Sequence, residues 1–265
     1  MDALELAHAA DANFVTHAGW AASRVPGMLV RDEPDLVLVD SGLACDTFNF
    51  VLRARLDRDT AARRIAGALD HFGRVERPFS WWVGPADLPA GLGHLLAAHG
   101  LARAESELAM AANLAGLPDE PPPVGLEIRR ARTPGELADF ARVNAANWSP
   151  PDEDVVRFHE RTAPVTLSPG APLWFYVGYF EGAPVATAEL AVGGGVAGLY
   201  GVSTLAACRR RGFGRALTLG PLLDARAAGL RHAVLQASAD GAPVYRRLGF
   251  EAFGEITEFK PAATG

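Results

Sequence analysis

Three consecutive prolines stand in the middle of this chain, inside the run Leu117-Pro118-Asp119-Glu120-Pro121-Pro122-Pro123. Proline has a fixed φ and no backbone N–H, so neither a helix nor a central strand can run through three of them. A stiff, extended connection is the outcome. The 265 residues are thereby predicted to divide into 1–117, a linker at 118–123, and 124–265, each part of ordinary domain size. Charge divides at the same place. Residues 1–123 carry 10 arginines against 17 acidic residues, and residues 124–265 carry 15 basic against 14 acidic ones. Neither part has the basic excess of a nucleic-acid footprint.

The positive charge of the second part is focused at Arg209-Arg210-Arg211-Gly212-Phe213-Gly214-Arg215. Before it, Val196–Thr204 is apolar and reads as a strand; after it, Ala216-Leu217-Thr218-Leu219 continues a helix. A strand, a glycine-containing loop and a helix start in that order make an anion cradle. First-turn amides lack intrahelical partners and the helix dipole favours negative charge there, while Gly212 and Gly214 let backbone approach a ligand closely. The chemistry points to a diphosphate. Neither Gly-x-x-x-x-Gly-Lys-Ser/Thr nor Gly-x-Gly-x-x-Gly is present.

The motif that does stand here, Arg-x-x-Gly-x-Gly between a strand and a helix, resembles the acetyl-coenzyme A signature of the GCN5-related N-acetyltransferases (GNAT). Val244-Tyr245-Arg246-Arg247-Leu248-Gly249-Phe250 resembles that family's second signature, a Tyr followed four residues later by Gly-Phe. The resemblance covers about residues 125–260. It implies an α/β (α+β) fold with a mixed, largely antiparallel sheet and helices on both faces. It also implies acetyl-CoA as acetyl donor, with no metal, and a small-molecule or peptide amine as acceptor. Backbone of Val202, Ser203 and Thr204 would hold the pantetheine arm, and Arg210, Arg211, Gly212, Phe213, Gly214 and Arg215 the pyrophosphate, with Arg209 bracing the loop. Ser238 stands where the family often has a cofactor-contacting Asn.

The reaction needs a neutral amine, a donor to the thioester oxygen and a proton for the leaving thiolate. By resemblance, the Val202 amide is the donor and Tyr245 the acid. Relatives often place the base on the strand before the loop, at positions that here are Gly198 and Tyr200, neither of which is a carboxylate or an imidazole. Glu189, in Thr187-Ala188-Glu189-Leu190, is the nearest replacement, with His159 and Glu160 as further candidates. Cys208 reads as filler. Two functions stand at this point: an amine acetyltransferase, and a catalytically weak acyl-CoA-binding regulatory module.

Around these motifs the second part reads as a strand at Leu126–Ile128, a helix from Pro134 behind the capping box Thr133-Pro134-Gly135-Glu136, and a helix near 152–161. A hairpin of strands follows at 174–180 and 184–192. After the loop helix come a strand at His232–Ala237, a helix at 241–248 and a strand at 252–259. Pro221 predicts a kink or a short first segment in the loop helix. The first part reads as a helix through Leu4 and Val15, strands at 36–39 and 48–56, a helix at 59–72, a strand at 79–83, a helix at 88–99 and a strand at 106–113. The strand–helix–strand–helix–strand order of its end repeats in the last seventy residues. That suggests either two such domains in tandem, the first degenerate, or an unrelated α/β cap. At the place of the phosphate loop the first part has Leu56-Asp57-Arg58-Asp59-Thr60, whose carboxylates would repel a diphosphate. No run of eighteen apolar residues predicts a membrane span. The acidic start Met1-Asp2-Ala3-Leu4-Glu5 is unlike a secretory signal, and the lone Cys45 and Cys208 fit no disulfide framework. A cytoplasmic protein is expected, and the arginine-rich, nearly lysine-free composition suggests a bacterial one.

Overall fold

The computed structural model of the protein describes residues 1–262. The first half runs α1 (Ala3–Gly19), β1 (Leu29–Glu33), β2 (Leu36–Asp40), β3 (Phe50–Leu52), α2 (Ala61–Val75), β4 (Ser80–Val83), α3 (Leu92–Ala98) and β5 (Leu101–Asn113). The second runs β6 (Leu126–Arg130), α4 (Pro134–Ala145), α5 (Glu153–Thr166), β7 (Leu173–Phe180), β8 (Ala183–Gly193), β9 (Val196–Thr204), α6 (Phe213–Ala227), β10 (His232–Ala237), α7 (Ala242–Arg246) and β11 (Glu251–Pro261). The repeated order is present in space: β3-α2-β4-α3-β5 in one half answers β9-α6-β10-α7-β11 in the other. In each unit the first two strands are parallel, whereas the other pairings are antiparallel.

All eleven strands form one sheet in the order β1-β2-β3-β4-β11-β5-β10-β9-β8-β7-β6. Each half lends its last strand to the other. β5, from the first half, lies between β10 and β11; β11, from the second, lies between β4 and β5. At about 3.3 Å per residue the 13 residues of β5 reach roughly 43 Å, enough to pair with β11 along its length and with β10 over Leu108–Asn113. The cores are exchanged with the strands. Met110 is fully buried among Leu217, Leu222 and Leu235 of the second half, and Phe259 packs with Ile65, Phe72 and Leu96 of the first.

Helices cover both faces. α6 packs against the side of β8 and β9 that carries Ala188, Leu190 and Leu199. The opposite side receives α4, through Leu137 and Phe140, and α1 from the first half. α1 reaches close because residue 198 is glycine: a Cβ there would collide with the Asn13 side chain. The Asn13 amide donates to the carbonyls of Ala191, Gly193 and Val196 at 2.9–3.1 Å, pinning the helix to the sheet.

Local chemistry explains where the elements depart from the sequence expectation. β1, with Arg31, Asp32 and Glu33, is an exposed edge strand whose polarity hides it from an apolar pattern. The strand expected at 48–56 keeps regular pairing only over Phe50–Leu52, since Asp46–Phe48 form a 3-10 turn and Arg53 has φ +53°. α3 begins at Leu92 rather than 88 because Pro89 and Gly91 (φ +85°) precede it. No short first segment forms in α6: the helix continues through Pro221, which is buried and forgoes only the bond to the Leu217 carbonyl.

Because β5 completes the second half's core, the halves should unfold together. Met110→Ala is expected to cost about 2–5 kcal/mol and to leave a single urea transition, coincident by circular dichroism and tryptophan fluorescence. Two resolved transitions would show the halves to be independent.

Candidate active site

The site begins where the ladder between β9 and β10 stops. These parallel strands pair only as far as Leu199 opposite Leu235. Just beyond, β9 carries an extra residue relative to β8: Tyr200 faces Glu189 and Ser203 faces Thr187, so two residues, Gly201 and Val202, oppose Ala188 alone. Gly201 has φ +53°, a left-handed conformation that favours glycine. Its carbonyl accepts from Thr187 Oγ1 at 3.0 Å and from Asn144 Nδ2 at 3.4 Å. In a planar trans peptide the next N–H points the opposite way, so the Val202 amide is aimed away from β8 and into the gap beside β10.

A cavity of about 260 Å³ occupies this gap, lined by Glu107, Asn147, Tyr200, Val202, Ser238 and Tyr245 among others. It brings together three residues singled out in the sequence: Val202, Ser238 and Tyr245. Tyr245 sits on α7 with its ring edge-on to Phe250 at 5.9 Å. Burial, with a smaller contribution from Glu107, pushes its phenol up to about 12, so it is a proton donor at neutral pH. The Ser238 hydroxyl accepts from the Gly241 amide at 3.2 Å at the start of α7. The Ser203 side chain is buried and donates to Asn147 Oδ1 at 2.9 Å.

The arginine loop leads from β9 into α6. Gly212 is the N-cap residue with φ +81°, no side chain caps the helix, and the first i to i+4 bond is Ala216 N–H to the Gly212 carbonyl. The amides of Phe213, Gly214 and Arg215 are thus without intrahelical partners. Arg209 braces the loop, its Nε donating to the Thr204 carbonyl at 3.1 Å. Arg211 lies over the rings of Phe180 and Phe213, at 4.0 and 5.0 Å. Arg215 pairs with Glu120 of the proline linker at 2.9 Å, and Arg210, with φ +61°, has no ion-pair partner among the described residues. Cys208 is packed beside the α6 core. A larger, mostly apolar cavity of about 630 Å³ lies between α6, β6 and the prolines, and its lining includes neither Val202 nor Tyr245.

Glu189 does not line the gap cavity. It is 6% exposed and bonded at 2.7 Å to His17 Nδ1 of α1, whose ring stacks on Tyr200 at 3.9 Å. Tyr200 in turn donates to Asn13 Oδ1 at 2.9 Å. The positions where a strand base was sought, Gly198 and Tyr200, are therefore filled by the docking of α1. His159 is buried, with no partner for Nδ1. Burial lowers its pKa to about 4 and holds it neutral, while Glu160 is exposed. His17 and Glu107 escaped the sequence reading because both come from the first half and neither belongs to a motif.

The corresponding gap of the first half is laced shut. Leu88 N–H donates to the Ala54 carbonyl at 2.9 Å and Leu56 N–H to the Leu88 carbonyl at 3.1 Å. Arg55 pairs with Asp87 and Asp11 across the same place. Ahead of α2, the Asp57 carboxylate accepts from the Asp59 amide at 3.1 Å, which places negative charge where the second half has its arginine loop.

In fold the chain is similar to solved GNAT structures. Residues 136–250 match the model of the acetyltransferase (GNAT) family, so the second half carries a domain of that family. No curated protein sequence matches the chain. Among solved structures, a GCN5-related N-acetyltransferase from Kribbella flavida is similar over 96% of both chains, with a TM-score of 0.73 at 21% identity. Another from Sphaerobacter thermophilus is similar over 85% of this chain and 80% of its own (TM-score 0.58, 19% identity). A tandem GNAT protein from the clavulanic acid biosynthesis pathway is similar over 91% and 86% (TM-score 0.58, 16% identity). At these identities the likeness is one of fold, and it spans both halves.

One open gap and one closed gap predict one ligand site per chain. Calorimetric titration with coenzyme A should give a stoichiometry of one, and two equivalent sites would contradict the closed first-half gap. Gly212→Glu should abolish the binding. A Cβ there would meet Pro123 Cγ at 3.3 Å in a left-handed backbone, and the new carboxylate would repel the diphosphate.

Proposed function

We propose that the protein transfers an acetyl group from acetyl-CoA to a primary amine of a small molecule or peptide. The observation that carries this reading is the open gap after Leu199 and Leu235, where the Val202 amide and the Tyr245 phenol share one cavity on the strand that leads, through the arginine loop, to the uncapped start of α6. The unpaired backbone of β9 beyond the bulge suits an extended pantetheine arm, running past Val202, Ser203 and Thr204 as an added strand. The amides of Phe213, Gly214 and Arg215 suit the diphosphate, as do the charges of Arg210 and Arg211. Arg215 reaches it by exchanging its ion pair with Glu120. The chain's own groups then supply the chemistry. The Val202 N–H stabilises the oxyanion that forms as the amine attacks the thioester, and Tyr245 donates to the departing sulfur. Glu189, buried and bound to His17, anchors α1 on the acceptor side.

In this reading residues 124–265 bind acetyl-CoA, 118–123 strap the loop, and 1–117 form a degenerate copy that helps build the acceptor side. Its two cysteines are free thiols, which suits a reducing cytoplasm. The competing reading, a module that binds acyl-CoA without turnover, draws on the absence of a strand base at Gly198. Thiol release with a pooled library of primary amines, set beside coenzyme A binding, separates the two.

Tyr245→Phe is expected to slow turnover about 10²–10⁴-fold, the usual worth of general acid catalysis, with coenzyme A affinity nearly unchanged. The substitution keeps the ring against Phe250 and removes only the proton. Wild-type turnover under conditions where chemistry limits the rate would make Tyr245 a packing residue.

A further inference from the structure

The geometry points to Glu107, a residue of the first half carried into the second half's site by β5, as the base that takes the proton from the acceptor ammonium. This rests on the transferase reading above and goes beyond it by naming the missing base and its origin. Glu107 lines the same cavity as Val202 and Tyr245. Along β5, Leu108 and Met110 face the α6 core, so the alternation of the strand places Glu107 on the α1 side with Ala109 and Ala111. It forms no ion pair among the described residues. Glu189 and Asp87, the other buried carboxylates near α1, are already tied to His17 and Arg55.

The groups around Glu107 make it a proton acceptor near neutrality. Glu105 on its own strand and Glu258 on β11 both face it, and the Tyr245 phenol lies beside it from α7. Glu258 is itself paired with Lys260 at 3.3 Å and bonded to Ser80 at 2.5 Å. Burial, then the charges of Glu105 and Glu258, raise the Glu107 carboxyl to about 7. A group with that affinity is half-deprotonated at working pH and basic enough to compete for an ammonium proton. The same acidic surroundings favour an acceptor that arrives as a cation.

The step balances. The Glu107 carboxylate takes one proton from R–NH3⁺, and the freed lone pair forms the C–N bond at the thioester carbon while the carbonyl electrons move to the oxygen held by Val202 N–H. Collapse breaks the C–S bond, and Tyr245 gives its proton to the sulfur. The nitrogen then loses a second proton, which returns to Tyr245. The proton on Glu107 goes to solvent, leaving an amide, coenzyme A and one H⁺.

The test is the pH dependence of turnover for wild type and Glu107→Gln, using whichever amine of the pooled library reacts fastest, at saturating amine. A carboxylate base works only when deprotonated, so wild-type kcat should fall as pH drops through about 7. Glu107→Gln, with coenzyme A affinity retained as proof of folding, should lose that acidic limb and about 10²–10⁴-fold in kcat. Glu107→Asp should restore a limb and part of the rate. A Gln variant that keeps the limb overturns the assignment while leaving the transferase reading intact. A wild type that binds coenzyme A and acetylates nothing in the library overturns both.

Discussion

The antiparallel pairing of β5 with β11, from Glu251 opposite Ala111 to Pro261 opposite Leu101, is the contact on which the rest depends. It joins two sheets into one and forces each half to complete the other's core. Without β5, β10 would be an edge strand, and the pocket that holds Met110 beside Leu217 and Leu235 would be open to water. An exposed apolar edge of that kind invites pairing with other chains. Without β11, the face formed by Ile65, Phe72 and Leu96 would lose Phe259. The proline segment that separates the halves in sequence therefore does not separate them in structure.

Local contacts decide which gap is open. Both halves contain a parallel strand pair with a helix between, and both could in principle splay. In the second half Gly201 lets β9 bulge, and the ladder from β9 to β10 ends at Leu199. In the first, Leu88 reaches across to Ala54 and Leu56, and Arg55 neutralises Asp87 and Asp11 at that spot. The Arg55 side chain is 22% exposed, and it stands between the two carboxylates. Burial does raise Asp87, to about 7. Closure of that gap is thus an electrostatic as well as a backbone event.

What could be read in the sequence was local. Arg-x-x-Gly-x-Gly, the capping box at Thr133, and the strand before the loop all announce themselves within ten residues, because turns, caps and helix starts are decided by neighbours. The base could not be read, for the opposite reason. Glu107 looks like an ordinary charge on a strand, and its importance comes only from lying across the sheet from Ile256 and next to Tyr245. Gly198 was legible as the absence of a carboxylate. Its cause, the arrival of Asn13 from α1, involves residues far apart in sequence that no pattern relates. The strand exchange left no trace: the apolar pattern marks only 106–113 of the 13 residues that β5 spans.

The first half, its own gap closed, remains indispensable to the second for reasons of charge. The loop at the start of α6 concentrates arginines, while the cavity beside Leu199–Val202 of β9 is faced by Glu107 and, behind it, Glu105 and Glu258. In the proposed reaction a carboxylate on β9 itself would stand on the strand proposed to hold the pantetheine arm, where a negative charge opposes the Val202 amide. Supplying it from β5 keeps the charge on the acceptor side, two strands from β9. In the proposed reaction an ammonium would be drawn in and discharged there, without weakening the Val202 amide. One strand of the first half thus completes the core of the second and carries the carboxylate proposed as its base.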